Sequence, residues 1–256
     1  MKCAVISKEK MCENVLAKVR EKLQSLGILV IDKCANANII IAIGGDGTII
    51  RAAQQAIAHD IPILGINSGN LGFLAGLELT ELDNLSALLN GNVTIENRMM
   101  LKVETSDQKC YFCLNDAVIA SGIASRIIDI EVSCNRENFM NYKADGLIFS
   151  TPTGSTAYAL SAGGPVVDPT IDSIIITPIC PHSLFSRSIV LAEKSTLKVK
   201  VAQSDVHLTL DGNHVLEIKP GDEITISCDE RKAKLIKIKS ENFYDVYKRK
   251  MRGRTE

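Results

Sequence analysis

The sequence predicts an α/β domain with a parallel sheet over residues 1–97, a β-rich, sandwich-like domain over residues 98–240, and a C-terminal segment over 241–256. Three observations carry this. Short apolar runs alternate with helical patterns up to about Met99, and beyond it the apolar residues recur at every second position. At one junction an apolar run empties into Gly44-Gly45-Asp46-Gly47-Thr48, a glycine-rich turn around an acid.

Lys2 to Ser7 reads as a strand. Over residues 9–26, Val15, Leu16, Val19, Leu23 and Leu26 fall on one face at helical spacing. Residues 28–31 and 39–43 are short, β-branched and nearly all apolar, as parallel strands covered on both faces are. A second helix follows over 48–59 with Ile49, Ile50, Ala53 and Ile57 as its buried stripe, and Pro62 opens a strand over 63–66. Such alternation implies a parallel sheet with right-handed crossovers. Past Met99, residues 101–104, 128–132, 197–201, 206–210 and 224–227 alternate with period two. Asp211-Gly212-Asn213 and Lys219-Pro220-Gly221-Asp222 both read as hairpin connections. Residues 242–252 are expected to form a helix that packs back on the first domain.

The chain has 256 residues, 46% of them hydrophobic, enough to bury a sizeable core. Its 29 basic and 30 acidic residues leave a net charge of −1, so no global field points to nucleic acid or an anionic membrane. The run Lys248-Arg249-Lys250-Met251-Arg252-Gly253-Arg254 is a local exception that reads as a solvated, frayed terminus. Eight cysteines are dispersed, several within apolar runs, in the manner of thiols in a reducing compartment. Cys110-Tyr111-Phe112-Cys113 is a single CxxC, short of the four ligands a zinc site needs, and no metal site is expected. The N-terminus is too soon charged for a signal peptide, and no apolar stretch approaches a membrane span. A cytoplasmic protein is expected.

Three glycines around Asp46 let the backbone turn sharply and approach a ligand. The N–H groups of such a turn, with the helix N-terminus behind them, favour phosphate oxygens. A plain turn, with Asp46 or Thr48 capping the helix, is the simpler explanation, and one glycine would satisfy it. The P-loop pattern GxxxxGK[ST] is excluded because no lysine is supplied, and GxGxxG because Ile50 stands at the third glycine position. A carboxylate repels phosphate, so Asp46 is expected to face a hydroxyl or a metal ion. A second segment, from Asp145 to Tyr158, empties an apolar strand into hydroxyl and glycine residues suited to a nucleotide or sugar, or to a polar loop with a helix cap. Asn115-Asp116 interrupts two apolar runs, and a buried pair of that kind must be hydrogen-bonded, to a ligand or within a turn. Asn67-Ser68-Gly69-Asn70 follows a strand where open α/β sheets place ligands.

These motifs resemble, in order, those of bacterial NAD kinases: Gly44-Gly45-Asp46-Gly47-Thr48, Asn70-Leu71-Gly72-Phe73-Leu74, Asn115-Asp116, the string from Asp145 to Tyr158, and Pro178-Ile179-Cys180-Pro181-His182 running on to Arg187. The first motif is shared with diacylglycerol, sphingosine and phosphofructo-kinases; the Asp145–Tyr158 string is far more specific. The resemblance implies a Rossmann-like N-terminal domain with a phosphofructokinase-like glycine-acid turn, a β-rich C-terminal domain, and the dinucleotide in the cleft between them. It implies Mg²⁺-dependent phosphoryl transfer, from ATP or inorganic polyphosphate, to the adenosine ribose 2′-hydroxyl of NAD.

By the same resemblance Asp46 is the catalytic acid-base residue, beside Gly47. Asn115 and Asp116 grip the nucleoside part of NAD, and Asp145 holds the far end of the dinucleotide. Thr156, Ala157, Tyr158 and Ser161 line the adenine and ribose pocket, and Asn213 falls where the family often places a contacting Gln or Asn. Arg51 and Lys143 match positions that are often basic and phosphate-facing. Phe73 and Cys180, inside two of the motifs, complete the expected binding set. Asp116 stands where Glu is more common, Lys143 where Arg is, and Ser188 where proline is. His182 is read as a structural or interface residue. A homodimer or homotetramer is implied, with no nucleic-acid or membrane partner.

Overall fold

The computed structural model describes residues 1–8, 11–69, 72–123, 126–182, 187–239 and 242–252. It divides into two compact units, Met1–Arg98 with Lys232–Glu256, and Met99–Arg231. In the first, β1 (Lys2–Ser7) is followed by α1 (Glu13–Ser25), β2 (Leu29–Ile31), β3 (Ile39–Gly44), α2 (Asp46–Ala56), β4 (Ile63–Asn67), β5 (Leu77–Glu78), α3 (Ala87–Asn90) and β6 (Thr94–Arg98). The pairs β1–β2, β1–β3 and β3–β4 are all parallel. Every residue of β3 is buried, as its unbroken apolar run requires. The expected start of the first helix, Glu9, lies outside the described residues. The second helix begins at Asp46 rather than Thr48, with Gly45 as its N-cap.

The second unit contains β7 (Leu101–Glu104), β8 (Cys110–Cys113), β9 (Asp116–Ser121), β10 (Ile128–Cys134), β11 (Glu137–Ala144), β12 (Gly146–Ser150), α4 (Tyr158–Ser161), β13 (Ser173–Ile179), β14 (Ile189–Ala192), β15 (Leu197–Val201), β16 (Val206–Leu210), β17 (His214–Ile218) and β18 (Glu223–Cys228). They form two antiparallel sheets, ordered β11-β10-β15-β18-β7-β8 and β14-β13-β12-β9-β16-β17. Val103, Ile130, Val199 and Ile226 of the first sheet share one core with Ile119, Phe149, Ile176 and Leu208 of the second. This is a sandwich, and the period-two alternation is what builds it.

Asp211-Gly212-Asn213 is a hairpin turn: Leu210 pairs with His214, and Asp211 and Gly212 take φ of 48° and 68°. Lys219-Pro220-Gly221-Asp222 is not, contrary to the sequence expectation. It has turn geometry, with Asp222 N–H donating to the Lys219 carbonyl at 3.0 Å. However, β17 belongs to one sheet and β18 to the other, so this turn carries the chain across the sandwich. Turn residues specify a reversal and say nothing of which sheet receives the next strand.

The chain re-enters the first unit at Lys232, earlier than the expected boundary at 241. β19 (Ala233–Lys237) pairs parallel to β4 and antiparallel to β6, giving the order β2-β1-β3-β4-β19-β6. Its rhythm matches the sandwich strands before it, so the sequence pattern does not mark this return. α5 (Phe243–Arg252) lies in the same unit. Among the described residues no helix is long and apolar enough to cross a membrane.

Candidate functional site

β3 delivers the glycine turn at the C-terminal end of a parallel strand, the end where α/β sheets bind ligands. A Cβ on Gly44 would strike the Thr48 side chain, so the turn closes this tightly only with glycine there. Gly45 and Gly47 are exposed, with open space where a side chain would stand. Gly45 is the N-cap of α2, and no side chain caps the helix. The simpler explanation of the turn therefore fails: Asp46 is not spent on its own helix.

The Asp46 carboxylate instead accepts the Phe73 N–H on Oδ2 at 2.9 Å and the Leu74 N–H on Oδ1 at 3.1 Å. A Cβ on Gly72 would overlap that carboxylate, so glycine at 72 is what lets the acid reach these donors. Lys250 Nζ of α5 lies 3.6 Å from Oδ2 and 4.5 Å from the centre of the Phe73 ring. Phe73 also meets Phe243, with ring centroids 6.5 Å apart. The basic run expected to be solvated is thus wrong at Lys250, whose side chain is only 19% exposed. Gly253 and Arg254 of that run, and Asn70 and Leu71 of the second motif, lie outside the described residues. Arg51 donates from Nη2 to the Ser7 carbonyl at 2.6 Å, tying α2 to the end of β1. Buried Asn67 donates to the Gly69 carbonyl and to the Glu78 carboxylate, pinning the turn after β4.

In the second unit the organising residue is one that sequence reasoning took only for a turn former. The Asp211 carboxylate accepts three consecutive N–H groups, from Leu114 at 2.9 Å, Asn115 at 2.8 Å and Asp116 at 3.1 Å. Asn213 donates from Nδ2 to the Asp211 carbonyl at 2.9 Å. Asp116 is 5% exposed, and burial, then the neighbouring Asp211 charge, pushes its carboxyl up to about 7. Opposite Asp116 on β12 stands Ser150, whose buried hydroxyl has no hydrogen-bond partner among the described residues.

The hydroxyl-rich segment after β12 folds largely on itself. Thr151 Oγ1 donates to the Leu114 carbonyl at 2.6 Å and accepts the Gly154 N–H at 3.0 Å. Ser155 Oγ donates to the Pro152 carbonyl and accepts the Val167 N–H. Buried Thr156 donates to the Thr153 carbonyl at 3.3 Å. A Cβ on Gly154 would collide with the Asn115 backbone, so this loop lies directly against the Asn115-Asp116 pair. Ala157 is half-buried, Tyr158 is 47% exposed and Ser161 is exposed.

Lys143, Asp145 and Cys180 gather at the opposite end of β12. Asp145 N–H donates to the Ile179 carbonyl at 3.0 Å, and the Lys143 carbonyl accepts the His182 N–H at 2.7 Å. Exposed Cys180 takes a φ of 45°, unusual for a residue with a side chain. Lys143 Nζ lies 3.7 Å from exposed Asp129. Residues 183–186 of the last motif lie outside the described residues. Cys110 and Cys113 stand three apart on β8, one exposed and one buried, so they face opposite sides of the sheet. Burial raises both thiols, that of Cys113 well above its ordinary value.

Residues 4–93 match the model of the ATP-NAD kinase N-terminal domain, and residues 114–238 that of the ATP-NAD kinase C-terminal domain. The chain belongs to the NAD kinase family. It is 42% identical over 223 residues to the NAD kinase of Symbiobacterium thermophilum, covering 84% of this chain and 79% of that protein. With the NAD kinase of Acetivibrio thermocellus it shares 38% identity over 255 residues, 96% of this chain and 87% of the other. A crystal structure of an NAD kinase from Archaeoglobus fulgidus in complex with ATP aligns with a TM-score of 0.83 at 27% identity, over 98% of this chain and 99% of that one. A yeast NADH kinase complexed with NADH shares the fold at a TM-score of 0.87 and 22% identity, over 96% and 85%. The family is one of phosphotransferases, and the α/β domain with a parallel sheet followed by a β-rich domain is its architecture.

Proposed function

We propose that the chain transfers the γ-phosphoryl group of ATP to the 2′-hydroxyl of the adenosine ribose of NAD, giving NADP. The observation that carries this is the Asp46 carboxylate, aimed by two backbone N–H groups beside a turn whose glycines leave room for a ligand. Phosphoryl transfer through a loose transition state asks the protein mainly for alignment and charge stabilisation. Asp46 orients the acceptor hydroxyl and takes its proton as the new O–P bond forms. The N–H groups at the start of α2, which have no partner within the helix, face the donor phosphates.

The second unit supplies the grip on the dinucleotide. Asn115 and Asp116 hold the nucleoside, with Ser150, Tyr158 and Ser161 around the adenosine. Asp145 lies at the other end of the five-residue β12, about 17 Å away at strand rise, a span suited to a dinucleotide. Among the described residues no three His, Cys, Asp or Glu side chains gather as a metal site. A divalent cation enters with the triphosphate, as part of the MgATP substrate. A homodimer or homotetramer and a cytoplasmic location complete the reading.

Incubation with MgATP and NAD is expected to yield NADP, identified by its separation from NAD and by its use in an NADP-dependent dehydrogenase assay. Turnover of a lipid or sugar acceptor, with NAD left unchanged, would overturn the assignment.

A further inference from the structure

The glycine turn carries no lysine of its own, yet a lysine from the other end of the chain stands beside it. We propose that Lys250 is a positioning residue of the reaction: it holds the Asp46 carboxylate in the orientation the acceptor hydroxyl needs, which makes the C-terminal helix part of the catalytic apparatus. This rests on the reading of Asp46 as the base.

The contacts form a closed ring. Asp46 accepts the Phe73 N–H, Phe73 packs on Phe243, and Phe243 begins the helix whose third turn brings Lys250 back to Asp46. Phe243 and Lys250 are seven residues apart, two turns on one face. Lys250 is itself fixed by the Phe73 ring, so its ammonium is directed rather than sampling solvent. α5 has no fully buried residue, which leaves side-chain contacts of this kind to dock it. Backbone donors hold Oδ1 and Oδ2 from the 73–74 side, and the ammonium approaches Oδ2 from the helix side. A carboxylate oxygen has more than one acceptor direction, so Asp46 keeps capacity for the incoming hydroxyl.

The same return segment supports the loop from beneath. Lys237 of β19 donates to the carbonyls of Leu74 at 3.1 Å and Ala75 at 2.8 Å. A Cβ on Gly76 would strike the Ile236 carbonyl, so the loop lies directly on β19. The donors that aim Asp46 are thereby braced by residues that follow the whole second unit in sequence.

The competing explanation is an ordinary surface ion pair that only staples α5. Lys250→Met separates the two, because it keeps an unbranched stem over Phe73 and removes the charge. In the full chain, its kcat for NADP formation is expected to fall about tenfold, with KM for NAD and ATP and the melting temperature little changed, the pattern of an interaction made in the transition state. Lys250→Arg is expected to recover most of that loss. In an Asp46→Asn background, Lys250→Met is expected to add nothing, because the two residues act as one unit. Unchanged kcat in Lys250→Met, a rise in KM for ATP alone, or an equal loss in the Asp46→Asn background would each overturn the inference. Full turnover in Asp46→Asn alone would instead remove the base reading on which it rests.

Discussion

Two aspartates stand at glycine turns and hold backbone N–H groups from a distant loop, yet they serve different ends. Asp211 is 8% exposed and engages three consecutive donors, so its charge is consumed in shaping the Asn115-Asp116 loop. Asp46 engages two donors and a lysine, and its side chain remains 28% exposed. The same chemistry, a carboxylate on amide hydrogens, becomes structural where it is saturated and buried. It becomes available to a substrate where one direction stays open. Residue type and turn context do not separate the two; the number of partners and the exposure do.

The largest effect on stability is expected at the saturated acid. Asp211→Ala leaves three consecutive N–H groups, two of them buried, without their acceptor and should cost about 3–5 kcal/mol, measured by chemical denaturation. A loss below about 1 kcal/mol would mean the loop finds other acceptors. Next comes Asp116, whose carboxyl titrates at about 7 folded against an ordinary value of 3.8. The folded state thus holds a proton that the unfolded state has released, so its contribution is fully present below about pH 4 and is lost as pH rises through 7. Asp116→Asn should flatten that dependence and be about 2 kcal/mol more stable than the parent at pH 8, with little difference at pH 4. Parallel stability–pH curves for the two proteins would contradict this.

At the open acid, the effects should fall on turnover. Gly72→Ala pushes a Cβ into the Asp46 carboxylate and should lower kcat about tenfold or more, since a displacement near 1 Å is costly to alignment. Stability should change less, because the carboxylate can swing away. The smallest effect is expected from Thr151→Val, which removes a buried hydroxyl that bridges Leu114 and Gly154. It should cost about 1–2 kcal/mol of stability and raise KM for NAD while leaving kcat unchanged.

Much of this architecture was legible in the residues. The apolar run 39–43 and the period-two strands announce a parallel sheet and a sandwich, because burial on two faces or one imposes those patterns. The glycine turn and the Asp145–Tyr158 string stand out in the residues as the two segments on which the proposed reaction draws. The roles of Gly72, Asp211 and Lys250 were not legible, because each acts on a partner far away in sequence: Asp46, residues 114–116 and Asp46 again. Gly72 lay within a motif and Asp211 within a turn, so a signal existed without its meaning. Lys250 sat in a basic run that reads as solvent-exposed. The hydroxyls of Thr151, Ser155 and Thr156 looked like ligand contacts, and each is engaged with the loop's own backbone or that of a neighbouring segment. Composition reports that donors are present; only the fold reports where they are spent.

The open carboxylate is the centre of the account, and Asp46→Asn tests it most directly. The variant keeps the side chain's size and removes its ability to accept a proton. Titration of NAD should show binding unchanged, while NADP formation from MgATP falls by about 10²-fold or more. Turnover equal to the parent, with NAD bound normally, would take Asp46 out of the chemistry.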